Sequence, residues 1–445
     1  MAASSPCSPL GPDETEFSLA IAGSVLTTWR QEGLRAAQQT FHTRTTTPTS
    51  SALLHELEQR LAGAQAPHLL VDGVWFSQPH GGITRVWEQI LRCWRLPGLV
   101  TSAASVTVID RESRVASIEG LPQCPAAAVD PLDWQRLPDC SDDNGRIAMG
   151  VGADVFVSTW ITSTGRVKPA LPELALVHDC IPERNAGLDP QLRALRNRWL
   201  LGATGHLAVS AATAADLAQA LGSGSRAVPW CHPSTAHLFM PQPGEAPLEA
   251  WTDQLIHRLA LPSCFVLLPA SSSIGSYKNP EVVLEALSSH ALHSVHLLLT
   301  GVAAQRHAER YRECYPDLRD RIHVHALNDL ELQCLYRKAL AVVVPSRREG
   351  FGLPVLEAMA SGGRVLTMDV AGLREAASGA VPCLDPEDAD LLRLWLELLL
   401  DAPSRAWLTP HLARRRRARL ERLNPDLLGL TLLAQARRLA NRQSR

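Results

Sequence analysis

The sequence has 445 residues, 46% hydrophobic and 20% charged, which excludes wholesale disorder and points to about two or three domains of roughly 100–200 residues. A formal net charge of −2 leaves no global basic field for nucleic acid. The nearest two of the ten cysteines, Cys124 and Cys140, are sixteen positions apart, so there is no CxxC zinc or redox pair.

Residues 1–66 form a mixed lead-in, Ser/Pro-rich as far as Pro12, with a candidate helix at 17–39, the polar run HTRTTTPTSS and a second candidate helix at Ala52–Leu61. The uncharged stretch Phe17–Trp29 covers 13 residues, short of the roughly 20 needed for a membrane span, and the acidic DETE before it is the reverse of a signal peptide's basic start. The expectation is a soluble protein of a reducing compartment, hence cytoplasmic.

From His68 the texture changes. HLLVDGVWF reads as a buried strand and GGITRVWEQILRCW as a helix after a glycine turn; SVTVID, DVFVST, LALVHD and HLAVS read as further strands, the last leading into the helical ATAADLAQALG. Short strands alternating with helices predict parallel βαβ units over 67–245. Pro229–Pro247 is proline-rich and reads as a linker. The alternation restarts over 262–400, with strands at CFVLLPA, VHLLLTG, IHVHAL, AVVVPS and RVLTMDV. Two such units facing each other place a ligand cleft between the carboxyl ends of their strands. Residues 401–445 are a basic tail. From 405 on it holds eleven arginines against Glu421 and Asp426, and RRRRAR lies among Leu408, Leu412, Leu420 and Leu423 as a candidate amphipathic helix.

The densest chemistry is AVVVPSRREGFGLPVLEAMASG, residues 341–362. A strand ends at Ser346, a loop with two glycines follows, and Pro354 opens a helix. The N–H groups of Gly350, Phe351 and Gly352 precede that helix start, where unpaired donors and the helix dipole favour an anion. Glu349 lies in the loop and Glu357 in the expected first turn. On chemistry alone Glu357 is either a dipole-compensating carboxylate or a functional one, since a carboxylate in an otherwise apolar helix needs a polar partner. Only three of the 43 basic residues are lysines (Lys168, Lys278 and Lys338), so Lys278, at the head of the second unit, stands out as a compact ammonium where arginine is the default.

The 341–362 segment resembles the Glu–x7–Glu motif of the retaining glycosyltransferases with the GT-B fold, called family 4 or glycosyl transferases group 1. HGGITRVWEQIL (80–91) is similar to the family's GGIxR loop, LALVHDCIP (174–182) to its VHDxxP strand end, LAVSAATAADLAQALG (207–222) to its Ser-led helix and SSSIGSYKNPEVVLEAL (271–287) to its RKN-type segment. The resemblance implies α/β GT-B architecture, two Rossmann-like doubly wound domains facing across a cleft. It implies transfer of a sugar from a nucleoside diphosphate donor, such as a GDP-mannose-like one, to a glycan or lipid-linked acceptor, with no cofactor or metal.

Roles follow from it. Lys278, with the amides of Gly81 and Gly82 and the 350–352 loop, would stabilise charge on the departing diphosphate. Glu357 would hold the ribose and Glu349 the transferred sugar, while His178 and Asp179 would reach that sugar from the first domain. Arg85 would lie near phosphates or acceptor, or form only a surface salt bridge, and Asn279 belongs to the donor segment. Ser272 stands where many members carry an arginine, which shifts the load to Lys278. The tail would touch an anionic membrane or, as in many GT-B folds, pack back on the first domain. Trp75, Trp160 and Trp230 could stack on an acceptor sugar or be core. No GxGxxG opens either unit, which argues against a dehydrogenase. The rival readings are a nucleotide-sugar-binding regulatory subunit without turnover and a GT-B nucleotide-sugar epimerase.

Overall fold

The computed structural model describes residues 67–78, 81–95, 105–115, 118–184, 189–222, 227–240, 248–301 and 303–443. The helices expected within 1–66 lie outside them. Strands β1 (His68–Asp72), β2 (Ser105–Asp110), β3 (Gln123–Pro125), β4 (Val155–Ser158), β5 (Glu173–Val177) and β6 (Gly205–Ala208) form one sheet in the order β3-β2-β1-β4-β5-β6. Strands β7 (Phe265–Leu268), β8 (His296–Leu299), β9 (Ile322–Val324), β10 (Ala341–Val344), β11 (Val365–Met368) and β12 (Cys383–Leu384) form a second, β12-β11-β10-β7-β8-β9. All pairings are parallel; Val71 faces Val108 and Val157, and Leu267 faces Leu298 and Val342. Helices cover these sheets, so the central strands are buried along their whole length and read as continuous apolar runs.

Each sheet reverses its strand order once, between β1 and β4 and between β7 and β10. Ligands of open parallel sheets bind beyond the strand ends at such points. In the first sheet the space is filled. Asp72, fully buried at the end of β1, accepts from Arg111 Nε at 2.9 Å, Asn144 Nδ2 at 3.0 Å and Thr162 Oγ1 at 2.6 Å. In the second sheet it is a pocket lined by Leu268, Ser272, Lys278, Val344, Ser346 and Glu349.

The helices are α1 (Gly82–Trp94), α2 (Asp139–Val151), α3 (Pro190–Gly202) and α4 (Ala211–Ala220), then α5 (Leu248–Arg258), α6 (Pro280–Leu287), α7 (Ala304–Cys314), α8 (Asp329–Lys338), α9 (Leu353–Ala360), α10 (Ala371–Ala377), α11 (Ala389–Leu400), α12 (Ala402–Glu421) and α13 (Leu427–Gln443). Three local readings change. The strand in HLLVDGVWF stops at Asp72 and Val74–Ser77 is a 3-10 turn: Gly73 leaves the extended region at φ −77°, ψ 25°, and packs so tightly that a Cβ there would lie 2.8 Å from Ile109 O. Gly372, which looks like a turn glycine, is helical in α10; its Cβ would lie 2.2 Å from Glu349 O. The proline-rich linker is packed at its start: Trp230 bridges Ala208, and Ala236 and Phe239 are buried. Helix α5, just beyond that linker, packs on α8 of the second unit, with Lys338 Nζ 3.1 Å from Asp253 Oδ1.

The basic tail folds back. Arg416 and Arg419 of α12 are buried and donate to backbone carbonyls of Gly363 and Ala376, whereas Arg414, Arg415 and Arg417 are exposed. Helix α13 crosses to the first unit and buries Leu428, Leu432, Leu433 and Ala436 against its sheet and α1; Trp94 Nε1 donates to Gly429 O at 2.9 Å. The leucines around RRRRAR are therefore contacts of a packed helix, with two arginines of the run turned inward. Among the described residues, no helix is long and apolar enough to cross a membrane.

Candidate functional site

Helix α9 begins at Leu353 behind Gly352, whose φ of 112° needs a glycine, and Pro354 is its second residue. Glu357 is the fifth residue, beyond the first turn, so dipole compensation does not account for it. Its side chain is buried, and its partner comes from the other unit: Arg85 Nη1 donates to Glu357 Oε1 at 2.6 Å. Arg85 also donates to Asp329, and its guanidinium lies 5.1 Å from the Phe239 ring centroid. Burial works against the charged guanidinium, but Glu357 and Asp329 outweigh it and hold its pKa above the ordinary value. Arg85 is thus a largely buried bridge across the cleft, anchored on the buried Glu357, and not a surface salt bridge. Among the described residues, Glu357 Oε2 takes only a long 3.5 Å contact from Tyr336 OH, while Thr235 Oγ1 lies 3.3 Å from Oε1.

Lys278 and Glu349 meet beyond β7 and β10, the strands that flank the reversal in the second sheet. Lys278 Nζ donates to Glu349 Oε1 at 2.6 Å, and Ser346 Oγ donates to the same oxygen at 2.8 Å. Burial would lower the Lys278 pKa, but the Glu349 carboxylate more than reverses this and keeps the ammonium charged. Ser272 lines the same pocket, its hydroxyl 2.9 Å from that of Ser276. Asn279, left-handed at φ 55°, donates from Nδ2 to Pro386 O at 2.7 Å and Pro345 O at 3.2 Å, which ties the Lys278 turn to the end of β10.

The 349–352 loop meets the first unit. A Cβ on Gly350 would lie 1.8 Å from His178 O, so only glycine permits this approach. Gly350 O accepts from Ser210 Oγ and, at 3.0 Å, from Thr213 Oγ1, and the Phe351 ring stacks on His232 at 4.6 Å. Gly81 caps α1 in an extended conformation, and Gly82 beside it faces Leu353 at the start of α9, with a Cβ there 3.8 Å from Leu353 Cδ1. His178 and Asp179 follow β5 directly. The buried His178 Nε2 has no hydrogen-bond partner among the described residues, while Asp179 caps a turn through Ile181 N at 3.1 Å. Burial raises the Asp179 pKa against the pull of Arg196. Trp75 and Trp160 pair at 4.4 Å beside these strand ends, and Trp230 lies 5.0 Å from His232.

Burial, reinforced by the Arg196 charge, pushes His178 down to about 4 from an ordinary 6.5. It is therefore neutral at pH 7 and able to hydrogen-bond a hydroxyl. Because the folded pKa lies below the unfolded one, this contribution to stability is complete above about pH 6.5 and is lost as the pH falls towards 4. Thermal melts over that window should fall more steeply for the native protein than for His178→Asn; parallel curves would contradict the assignment.

The sequence located Lys278, Glu349, Glu357, Arg85, His178 and Gly350, and the structure brings them to one cleft. It did not locate Tyr336, Thr235, Asp329 or Ser346, which lack any local signature. Glu375 and His232 at the rim were also missed; the proline-rich look of the linker concealed His232.

Residues 258–411 match the family model described as Glycosyl transferases group 1. A segment of 73 residues is 38% identical to the O-antigen chain mannosyltransferase RfbU of Salmonella typhimurium, covering 16% of this chain and 21% of that protein, so the match spans about a fifth of that relative. Among solved structures, sucrose-phosphate synthase from Thermosynechococcus elongatus superposes with a TM-score of 0.62 at 19% identity, over 85% of this chain and 99% of that one. HepE of Anabaena in complex with UDP-glucose does so with a TM-score of 0.59 at 16% identity, over 85% and 99%. The architecture is GT-B, two doubly wound parallel domains facing across a cleft.

Proposed function

We propose that this chain transfers a sugar from a nucleoside diphosphate sugar to a glycan or lipid-linked acceptor, with retention at the anomeric carbon as in family 4. The observation that carries the reading is the Lys278–Glu349 pair, 2.6 Å apart where the strand order of the second sheet reverses. A diphosphate leaving group seated there meets the Lys278 ammonium, so the reading needs no resident metal. As its bond to the anomeric carbon breaks, the acceptor oxygen attacks from the same face and its proton passes to the departing phosphate oxygen. Glu349, steadied by Ser346, holds the hydroxyls of the transferred sugar, and neutral His178 approaches it from the first domain. The match to a mannosyltransferase segment favours a GDP-mannose-like donor, and the UDP-glucose held by a protein of the same fold makes UDP-hexoses the second set to try. The basic tail is first a brace between the domains. Arg414, Arg415 and Arg417 are among the exposed charges it would offer to an anionic membrane on the cytoplasmic side, and vesicle co-sedimentation that does not weaken with salt would exclude that contact.

A thermal-shift screen across nucleotide sugars, followed by a transfer assay, tests the main reading. A donor at 100 times its dissociation constant should stabilise the fold by about 2.7 kcal/mol. Glycoside product supports transfer. Nucleoside diphosphate released without glycoside, or binding without turnover of any donor, would overturn it in favour of an epimerase or a regulatory subunit.

The two glutamates separate by role. Glu357 is assigned to the ribose, which donor and product share, through the Oε2 atom that Arg85 leaves open. Glu357→Ala should weaken donor and free nucleoside diphosphate alike by about 1.5–3 kcal/mol. Glu349→Ala should leave nucleoside diphosphate affinity nearly unchanged while turnover collapses. Calorimetric titration of both variants gives the comparison; equal losses would show that the two carboxylates only support the loop and helix.

A further inference from the structure

The first amides of a helix have no partner within it. At the start of α4, Ser210 caps one of them, accepting from Thr213 N at 2.9 Å. The next two donors are satisfied from the opposite domain: Ala211 N donates to Glu375 Oε1 at 2.7 Å and Ala212 N to Glu375 Oε2 at 3.0 Å. A carboxylate straddling a helix N-terminus is favoured by both the orphan N–H groups and the dipole. His232, from the segment between the domains, adds a 2.6 Å contact to Glu375 Oε1 while its ring stacks on Phe351 of the catalytic loop. Glu375 sits on α10, and one turn earlier on the same helix Gly372 presses against the backbone of Glu349 and Gly350. Short helix α10 therefore touches the Glu349 loop at one end and the first domain at the other.

We propose that Glu375 is a positioning residue, a latch that engages the N-terminus of α4 when the cleft closes and thereby fixes the Glu349 loop against His178. In an open cleft water serves both the Ala211 and Ala212 amides and the carboxylate, so these bonds belong to the closed state alone. The latch lies outside the donor pocket, so releasing it leaves nucleotide binding to the second domain intact. This rests on the sugar-transfer reading for its effect on rate, but its effect on closure stands separately.

The test uses Glu375→Gln, Glu375→Ala and Glu375→Lys in the full chain. Gln retains one acceptor oxygen, Ala none, and Lys places a cation at the positive end of α4. Nucleoside diphosphate affinity by calorimetry should stay within about twofold of the native value, while kcat falls in the order Gln, Ala, Lys, reaching about 10²-fold for the misplaced loop. Small-angle scattering with UDP or GDP present should show the radius of gyration rising in the same order. Native compactness in the Ala and Lys variants would overturn the latch whatever the enzyme turns over. If no donor is turned over even by the native chain, the transfer reading fails while the scattering series still decides the latch. A kcat that is native in all three variants, or an affinity loss matching the kcat loss, would also refute it.

Discussion

Gly350→Ala is expected to abolish sugar transfer while leaving both domains folded. The added methyl carbon would lie 1.8 Å from His178 O and 3.0 Å from Asp179 Cβ, both in the opposite domain. A backbone carbonyl at the end of β5 cannot swing aside as a side-chain terminus would, so the relief available is to hold the cleft ajar. That parts the Glu349 loop from His178 and breaks the bonds from Ser210 and Thr213 to Gly350 O. Misplacing reacting groups by about 1 Å costs on the order of 10²-fold in rate, and full separation costs more. The expected signature is a native-like melt, near-native nucleoside diphosphate affinity and transfer reduced by at least about 10²-fold. An active Gly350→Ala enzyme would mean that the closed arrangement is not the reacting one.

Lys278→Ala carries the second large effect. The ammonium pairs with a carboxylate in the resting site and faces the departing diphosphate during reaction. Its removal strips charge stabilisation worth about 3–4 kcal/mol by analogy with a lost oxyanion donor, or roughly 10²–10³ in kcat. It also leaves Glu349 next to the phosphates with only the Ser346 hydroxyl in contact, which adds repulsion in the same direction. Lys278→Arg should rescue poorly, because a planar fork does not replace a compact ammonium between Glu349 and a phosphate. Steady-state kcat at saturating donor is the measurement, and a fully active alanine variant would refute the role.

The repeated strand–helix order was readable from sequence because the central strands are buried on both faces and carry uninterrupted apolar runs. Edge strand β3 was not: Gln123–Pro125 has two of its three residues exposed, and it carries no apolar signal. Gly372 suggested a turn because helix propensity disfavours glycine, whereas the deciding constraint is the Glu349 carbonyl pressed against it. The same distinction runs through the site. Lys278, Glu349 and Glu357 are legible because each lies in a short motif whose spacing carries the chemistry. The Arg85–Glu357 contact joins residues 272 positions apart, and the Ala211–Glu375 contact residues 164 apart. No local pattern encodes such pairs, since they come into being only when two separately formed domains meet.

The return of α13 to the first sheet has a consequence for how the molecule is made. Trp94 and Gly429, bonded at 2.9 Å, are 335 residues apart in the chain, and Leu439 lies against Gly205 of β6. As the nascent polypeptide emerges from the ribosome, the first domain has its strands long before it has the helix that covers Trp94 and the β4–β6 face. Until 427–443 are synthesised that apolar face stays open to water and to other chains, while the second domain can already complete its own core. Order of synthesis and order of completion are therefore reversed here, with the earlier-made domain finishing last. The interval between them is when this chain is most exposed to aggregation.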